Sequence, residues 1–218
     1  MMKTKPEAII FDWDNTLVDT IPHIKYARNS TLQKYLPNQE PKETKILSSS
    51  GGRQSFFLQF GDQAEEAGKF FLESYKFSTI NGVNPLDQAH EVLECLSQTD
   101  VPLVIVSNKL NLLLNKEIGD LGWTKYFKKI IGSKDAPLDK PHPEPVYLAL
   151  EPLGITASPK VWLIGDSTID VKCAFNANCL PILFGDKKEF DEAEFKEQDI
   201  LHIEDHSSLK KLFEQYFF

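Results

Sequence analysis

From residue 86 onward, short apolar runs alternate with stretches of helical periodicity, and this alternation sharply limits the possible fold. Residues 101–107, Val-Pro-Leu-Val-Ile-Val-Ser, form the strongest strand pattern in the chain. A helix is expected near 109–121, a short strand near 129–131 and a helix near 143–150. A strand at 161–164 and a helix near 168–177 follow, then weaker strands at 180–184 and 200–203 and a last helix over 207–217. Parallel neighbours need a crossover of a dozen or more residues, usually a helix, so strand–helix alternation implies a parallel sheet covered by helices on both faces. The expected fold class is α/β, with a doubly wound parallel sheet.

The first strand lies near the N-terminus. Ala8-Ile9-Ile10-Phe11 runs directly into Asp12 and Asp14. A strand ending this way puts carboxylates at the sheet's carboxyl edge, where open α/β sheets bind ligands. Two close carboxylates suit covalent catalysis, one attacking and the other handling protons. An aspartate pair also serves as a helix cap or turn, and the pair alone does not decide between these roles. The next strand ends at Ser107, 95 positions after Asp12. One helix, opened by Pro85 and carrying Leu86, Ala89, Val92, Leu93 and Leu96, is enough for the crossover. The surplus is helical in pattern. Thr20 and Pro22 start a helix with Ile24, Ala27, Thr31, Leu32 and Leu36 on one side. Short helices are expected at 42–47 and 54–60, and a longer one at 62–77 with Ala64, Ala67, Phe70, Phe71 and Tyr75 together. The expected organisation is a core of residues 1–19 and 83–218 with an inserted all-helical cap, 20–82. The cap would move as a lid about hinges near 19–21 and 81–85.

Three further stretches bear on the aspartates. Ser107-Asn108 offers a hydroxyl and backbone N–H groups at an expected helix start, an arrangement that holds anions or merely caps the helix. Asp139-Lys140-Pro141-His142-Pro143-Glu144-Pro145 fixes Lys140 in a proline-stiffened loop. Gly165-Asp166-Ser167-Thr168-Ile169-Asp170 follows the strand at 161–164. Asp12, Ser107 and Asp166 all end strands of one sheet, so Asp12, Asp14, Asp166 and Asp170 should crowd together with Lys140. Carboxylates that close cannot all stay ionised unaided. A hard divalent cation resolves the conflict, and Mg²⁺ suits a site that also holds phosphate.

Composition narrows the partners. The 218 residues carry a net charge of −8 without a basic cluster, which argues against nucleic acid as a partner. Cys95, Cys173 and Cys179 are odd in number, lack Cys-x-x-Cys spacing and sit among apolar residues, as small core residues of a reducing compartment do. With no run of about 18 apolar residues and no signal-like N-terminus, neither membrane span nor export is expected, and cytoplasm is the expected location.

Taken together, Asp12-Trp13-Asp14-Asn15-Thr16-Leu17, Ser107-Asn108-Lys109, Lys140-Pro141 and Gly165-to-Asp170 resemble the four motifs of the haloacid dehalogenase superfamily, in order. Asp19-Thr20-Ile21-Pro22 and Gly82-Val83 resemble turns of its phosphoglycolate phosphatase-like branch. Asp14 separates the sequence from true dehalogenases. The resemblance implies a Rossmann-like core and a Mg²⁺-dependent phosphatase of small phosphorylated metabolites, acting through an aspartyl phosphate and expected to be a monomer. It implies that Asp12 attacks phosphorus and that Asp14 protonates the leaving oxygen and then deprotonates water. Ser107, Asn108 and Lys140 would bind phosphate, with Thr16 ordering the first loop. Asp12, the Asp14 carbonyl and Asp166 would hold Mg²⁺, supported by Asp170. Trp13 replaces a commonly smaller residue and reads as core. Asn178 stands where glycine is common and tolerates the same left-handed backbone. Substrate choice would lie in the cap, with Arg53 the first candidate and His23, Lys25, Arg28 and Gln54 behind it. Two other functions fit the same scaffold. One is a phosphosugar mutase similar to β-phosphoglucomutase, suggested by the Arg53 loop, although His23 stands one residue away from the matching position. The other is a catalytically silent binding protein.

Overall fold

The computed structural model describes residues 5–37, 56–187, 190, 195, 198 and 200–217. In chain order the strands are β1 (Ala8–Phe11), β2 (Val18–Asp19), β3 (Asn84–Pro85), β4 (Leu103–Leu110), β5 (Phe127–Ser133), β6 (Val161–Gly165), β7 (Leu180–Phe184) and β8 (Leu201–Ile203). The helices are α1 (Ile21–Tyr35), α2 (Ala64–Ser78), α3 (Ala89–Leu96), α4 (Asn111–Asp120), α5 (Glu144–Leu150), α6 (Thr168–Asn176) and α7 (His206–Phe217).

Six strands form one parallel sheet in the order β5-β4-β1-β6-β7-β8. Alternation along β1 divides the core. Ile9 and Phe11 pack with Leu93, Ile118 and Phe213 of α3, α4 and α7, while Ala8 and Ile10 pack with Val146, Ala149 and Cys173 of α5 and α6. Each large side chain so buried contributes roughly 1.5–3 kcal/mol relative to exposure. Strand order reverses at β1, and a crevice opens beyond the carboxyl ends at that point. Asp12 leaves β1 into it, and Asp166 leaves β6 beside it.

Two junctions differ from expectation. Pro85 does not open a helix. Asn84–Pro85 pairs antiparallel with Val18–Asp19, the Leu86 N–H donates to the Leu17 carbonyl at 3.0 Å, and α3 starts only at Ala89, after Gln88 at φ 59°. Proline is tolerated in a two-stranded ribbon, where its missing N–H leaves no interior ladder broken. The strand through Ser107 also does not end there. It runs on to Leu110, and α4 starts at Asn111. Between Val106, paired with Ile131, and Leu110, paired with Ser133, β4 advances four residues against two of β5. Residues 107–109 therefore bulge at the edge of the crevice, a common device for re-aiming side chains near active sites. Gly132 permits it, because a Cβ there would lie 2.6 Å from the Asn111 Cα and 2.9 Å from the Lys109 carbonyl oxygen.

Between β2 and β3 the described residues are helical or irregular. Leu32 of α1 packs with Phe56, Phe60 and Ala67, and a smaller cluster of Ala27, Tyr75 and Leu113 joins α1 and α2 to α4. The expected helix at 42–47 and the start of that at 54–60 lie outside the described residues. No helix among the described residues is long and apolar enough to cross a membrane. The three cysteines are free thiols.

Candidate active site

The strand-end acids converge as their spacing suggests. Asp12, 7% exposed, is anchored by its own N–H on the Ile164 carbonyl at 2.9 Å. Asp170 stands in the first turn of α6, where Ser167 and Asp170 cap each other. Asp170 Oδ2 accepts from the Ser167 N–H at 3.1 Å and the Ser167 hydroxyl at 2.5 Å. Asp170 can lie this close only above a glycine, because a Cβ on Gly165 would fall 2.3 Å from the Asp170 Cγ. Lys140 enters between them, its Nζ 2.7 Å from Asp12 Oδ1 and 2.6 Å from Asp170 Oδ1. The Lys140 loop is held by more than its prolines. The Asn108 side-chain amide donates to the Lys140 carbonyl at 2.8 Å and accepts from the Lys140 N–H at 2.9 Å. Asn108, expected at the phosphate, also places Lys140 through its side-chain amide.

Three carboxylates, those of Asp12, Asp166 and Asp170, offer oxygens within 4.8 Å of one another. Burial pushes Asp12 up to about 6 against the pull of Lys140, with Asp170 and Asp14 adding to the rise. Burial, then Asp170 and Asp12, hold Asp166 well above the ordinary carboxylate range. Burial disfavours the Lys140 charge, but Asp12 and Asp170 outweigh it and keep the ammonium well above its usual range. One ammonium against three carboxylates leaves a deficit of two positive charges. All the free donors are hard oxygens, so the cluster fits a divalent cation of the Mg²⁺ or Ca²⁺ kind.

Asp14 belongs elsewhere. Its side chain is not part of the three-carboxylate cluster, and Oδ1 receives Lys109 Nζ at 2.5 Å. Lys109 Nζ also lies 3.0 Å from Glu117 Oε2 and 2.8 Å from the Tyr75 hydroxyl. Glu117 accepts from the Trp13 indole at 2.8 Å and from the Tyr75 hydroxyl at 3.0 Å. Burial raises Glu117 above its usual range, with Lys109 opposing. Trp13 is fully buried, edge-on to Trp123, and is core as expected. No spacing in the sequence joins Lys109, although it ends the Ser107-Asn108-Lys109 motif, to Glu117 and Tyr75. The available signal was Glu117, an acid among the apolar positions Leu113, Leu114 and Ile118 of α4.

The remaining candidates are scattered. Ser107 is buried, its hydroxyl accepting from the Lys109 N–H at 3.3 Å. Thr16 is buried, and its hydroxyl has no hydrogen-bond partner among the described residues. His23 meets the Tyr75 ring edge-on, and Arg28 lies 5.4 Å from the centre of the Phe56 ring. Arg53 and Gln54 lie outside the described residues. Asn178 has φ 59°, the left-handed conformation anticipated for it. A cavity of about 1100 Å³ opens between the sheet edge and α1 and α2; Asp12, Asp166 and Lys140 line one side and Ile24, Phe71 and Tyr75 the other.

Fold and site together define an α/β protein with a buried carboxylate cluster at a topological switch point. Residues 9–183 match the haloacid dehalogenase-like hydrolase family. A phosphoglycolate phosphatase of Neisseria gonorrhoeae is 28% identical over 81% of this chain and 78% of its own length. A pyrophosphatase of Oceanobacillus iheyensis is 30% identical over 78% and 79%. A haloacid dehalogenase-superfamily hydrolase from Ehrlichia chaffeensis, of known crystal structure, superposes with a TM-score of 0.67 at 30% identity over 98% of both chains. The chain belongs to this family and within it is a phosphatase.

Proposed function

We propose that the protein is a Mg²⁺-dependent phosphatase of small phosphorylated metabolites that works through an aspartyl phosphate on Asp12, with 2-phosphoglycolate the first substrate to test. The observation that carries this is Asp12, at the end of the central strand, joined through Lys140 to Asp170 beside Asp166. An Asp12 carboxylate oxygen attacks phosphorus as the bond to the leaving oxygen breaks, and Asp14 gives that oxygen its proton. Asp14 then takes a proton from water, which attacks phosphorus, breaks the Asp12–phosphorus bond and releases phosphate. An ammonium has three N–H donors. Asp12 and Asp170 take two of those on Lys140, leaving one for a phosphoryl oxygen beside the Ser107 hydroxyl. Asp12, Asp166 and the Asp14 carbonyl would hold the cation, Asp170 backs Lys140, and Thr16 orders the loop. When bound, the cation neutralises charge on the transferring group. Residues 20–82 act as a helical cap over a core of 1–19 and 83–218. In support, the described helices of that stretch line the cavity opposite Asp12.

The test is phosphate release from a panel of monophosphates, including 2-phosphoglycolate, with inorganic pyrophosphate alongside, in Mg²⁺ and in EDTA. Turnover that needs Mg²⁺ and vanishes in Asp12→Asn is expected. Undiminished turnover in EDTA, or in Asp12→Asn freed of contaminating phosphatase, would overturn the reading.

A further inference from the structure

We propose that Lys109, gripped by Glu117 of α4 and Tyr75 of α2, is the positioning residue that aims Asp14 at the leaving group, so that the seating of α2 is felt at the acid–base carboxylate. This rests on the reading of Asp14 as acid and base.

Lys109 spends all three of its N–H donors inside the protein, on Asp14, Glu117 and the Tyr75 hydroxyl. That hydroxyl accepts from Lys109 and donates to Glu117, so both of its roles are filled. Glu117 uses both oxygens, one on Tyr75 and one shared by Trp13 and Lys109. Lys109, Glu117, Tyr75 and Trp13 are all buried. A closed set of this kind has nothing left with which to bind a ligand, and what it offers is a fixed direction for Asp14. Asp14 is the partly exposed member and lines the cavity. Lys109 holds its Oδ1, which leaves Oδ2 for the reacting groups.

The four supports come from four places: the loop after β1, the β4 bulge, α4 and α2. Three belong to the sheet and its helices, and only Tyr75 lies between β2 and β3. Displacing α2 would withdraw one hydroxyl from both Lys109 and Glu117 and loosen the grip on Asp14. Gly132 has a part in this as well, since its missing side chain admits the backbone that carries Lys109.

A general acid matters most for a poor leaving group. The experiment therefore compares kcat/KM for 2-phosphoglycolate, whose alkoxide needs a proton, with that for p-nitrophenyl phosphate, whose phenolate departs readily. Asp14→Asn serves as the reference. Lys109→Met is expected to lose at least tenfold more on 2-phosphoglycolate than on p-nitrophenyl phosphate, and Asp14→Asn is expected to do the same. Tyr75→Phe keeps the ring, removes only the hydroxyl and is expected to show the same selectivity at about threefold or more. Selective loss in Asp14→Asn alone, with equal or no losses in Lys109→Met and Tyr75→Phe, overturns this inference and leaves the proposed mechanism standing. No selectivity in Asp14→Asn removes the acid–base reading, and this inference with it. Should Lys109→Met fail to fold by circular dichroism, Tyr75→Phe decides, and an unchanged substrate ratio there overturns the proposal.

Discussion

Lys140 reaches Asp12 at 2.7 Å and Asp170 at 2.6 Å; Lys109 reaches Asp14 at 2.5 Å and Glu117 at 3.0 Å. Both ammonium groups are buried between two acids, one beside each aspartate of Asp12-Trp13-Asp14. Their surroundings differ. Asp166 adds a third carboxylate to the first cluster and leaves it short of positive charge, whereas Tyr75 and Trp13 close the second with neutral donors. Buried ion pairs are weak sources of stability, because desolvation offsets their attraction. The contrast matches the two roles proposed above: an under-neutralised cluster suits a cation, whose charge then offsets that of a phosphate, and a saturated one suits holding a side chain still.

The largest effect that separates the clusters should come from their acids. Asp12→Asn is expected to lower turnover by about a thousandfold or more, since it removes the proposed nucleophile. Glu117→Gln should retain measurable activity on p-nitrophenyl phosphate. Phosphate-release assays on both variants check this, and equal losses would erase the distinction. The next effect concerns the metal. Asp166→Ala should raise the Mg²⁺ needed for half-maximal activity by roughly tenfold or more. In Glu117→Gln the same titration should coincide with wild type, and a parallel shift in both would mean the clusters share the ion.

The two supporting glycines offer a finer separation. Gly165→Ala drives a methyl into Asp170, and Gly132→Ala drives one into the Asn111 backbone. Each should cost about 1–3 kcal/mol, read from thermal or denaturant unfolding. Gly165→Ala should also weaken Mg²⁺ binding, which Gly132→Ala should leave as it was. The smallest effect is thermal and depends on pH. Asp12, raised to about 6, keeps a proton in the folded protein at pH values where the unfolded chain has already lost it. This contribution to metal-free stability is full below about pH 4 and is lost as pH rises through 6, and Asp166 acts in the same direction. Mg²⁺ favours the ionised carboxylates, so its increment in Tm should grow from pH 4 to 7, by several degrees in order of magnitude. A calorimetric series with and without Mg²⁺ measures it, and an increment that is flat with pH would separate the ion from Asp12 and Asp166.

The first cluster was legible because Asp12 and Asp166 follow apolar runs that read as buried strands, Asp170 stands one helical turn beyond Asp166, and Lys140 sits in a loop stiffened by Pro141 and Pro143. Parallel strands end together, so residues at their ends meet. The second cluster was hidden because Tyr75, Lys109 and Glu117 approach from separate elements, and none of them ends a predicted strand. The bulge that delivers Lys109 is a slip in pairing between β4 and β5, and pairing partners are not written in either strand alone. Gly132 was its only trace. Pro85 misled for a related reason. Its fixed φ suits a helix start or an edge strand equally, and the partner that decides, Val18–Asp19, is more than sixty residues away.

That ribbon of Val18–Asp19 and Asn84–Pro85 has a consequence for how such a chain can diversify. It brings the two ends of everything between them side by side, and all six strands of the parallel sheet lie outside that segment. On the division into core and cap proposed above, the intervening segment would be exchangeable. Doubling its length adds only about 0.6 kcal/mol of closure entropy, and no strand of the sheet has to shift to accommodate it. New recognition surface can be acquired there while the hydrolytic machinery stays as it is. A grafted segment from a relative, joined at this ribbon, would inherit the sheet edge intact and would need only one inward-facing hydroxyl in place of Tyr75 to remain in touch with Lys109.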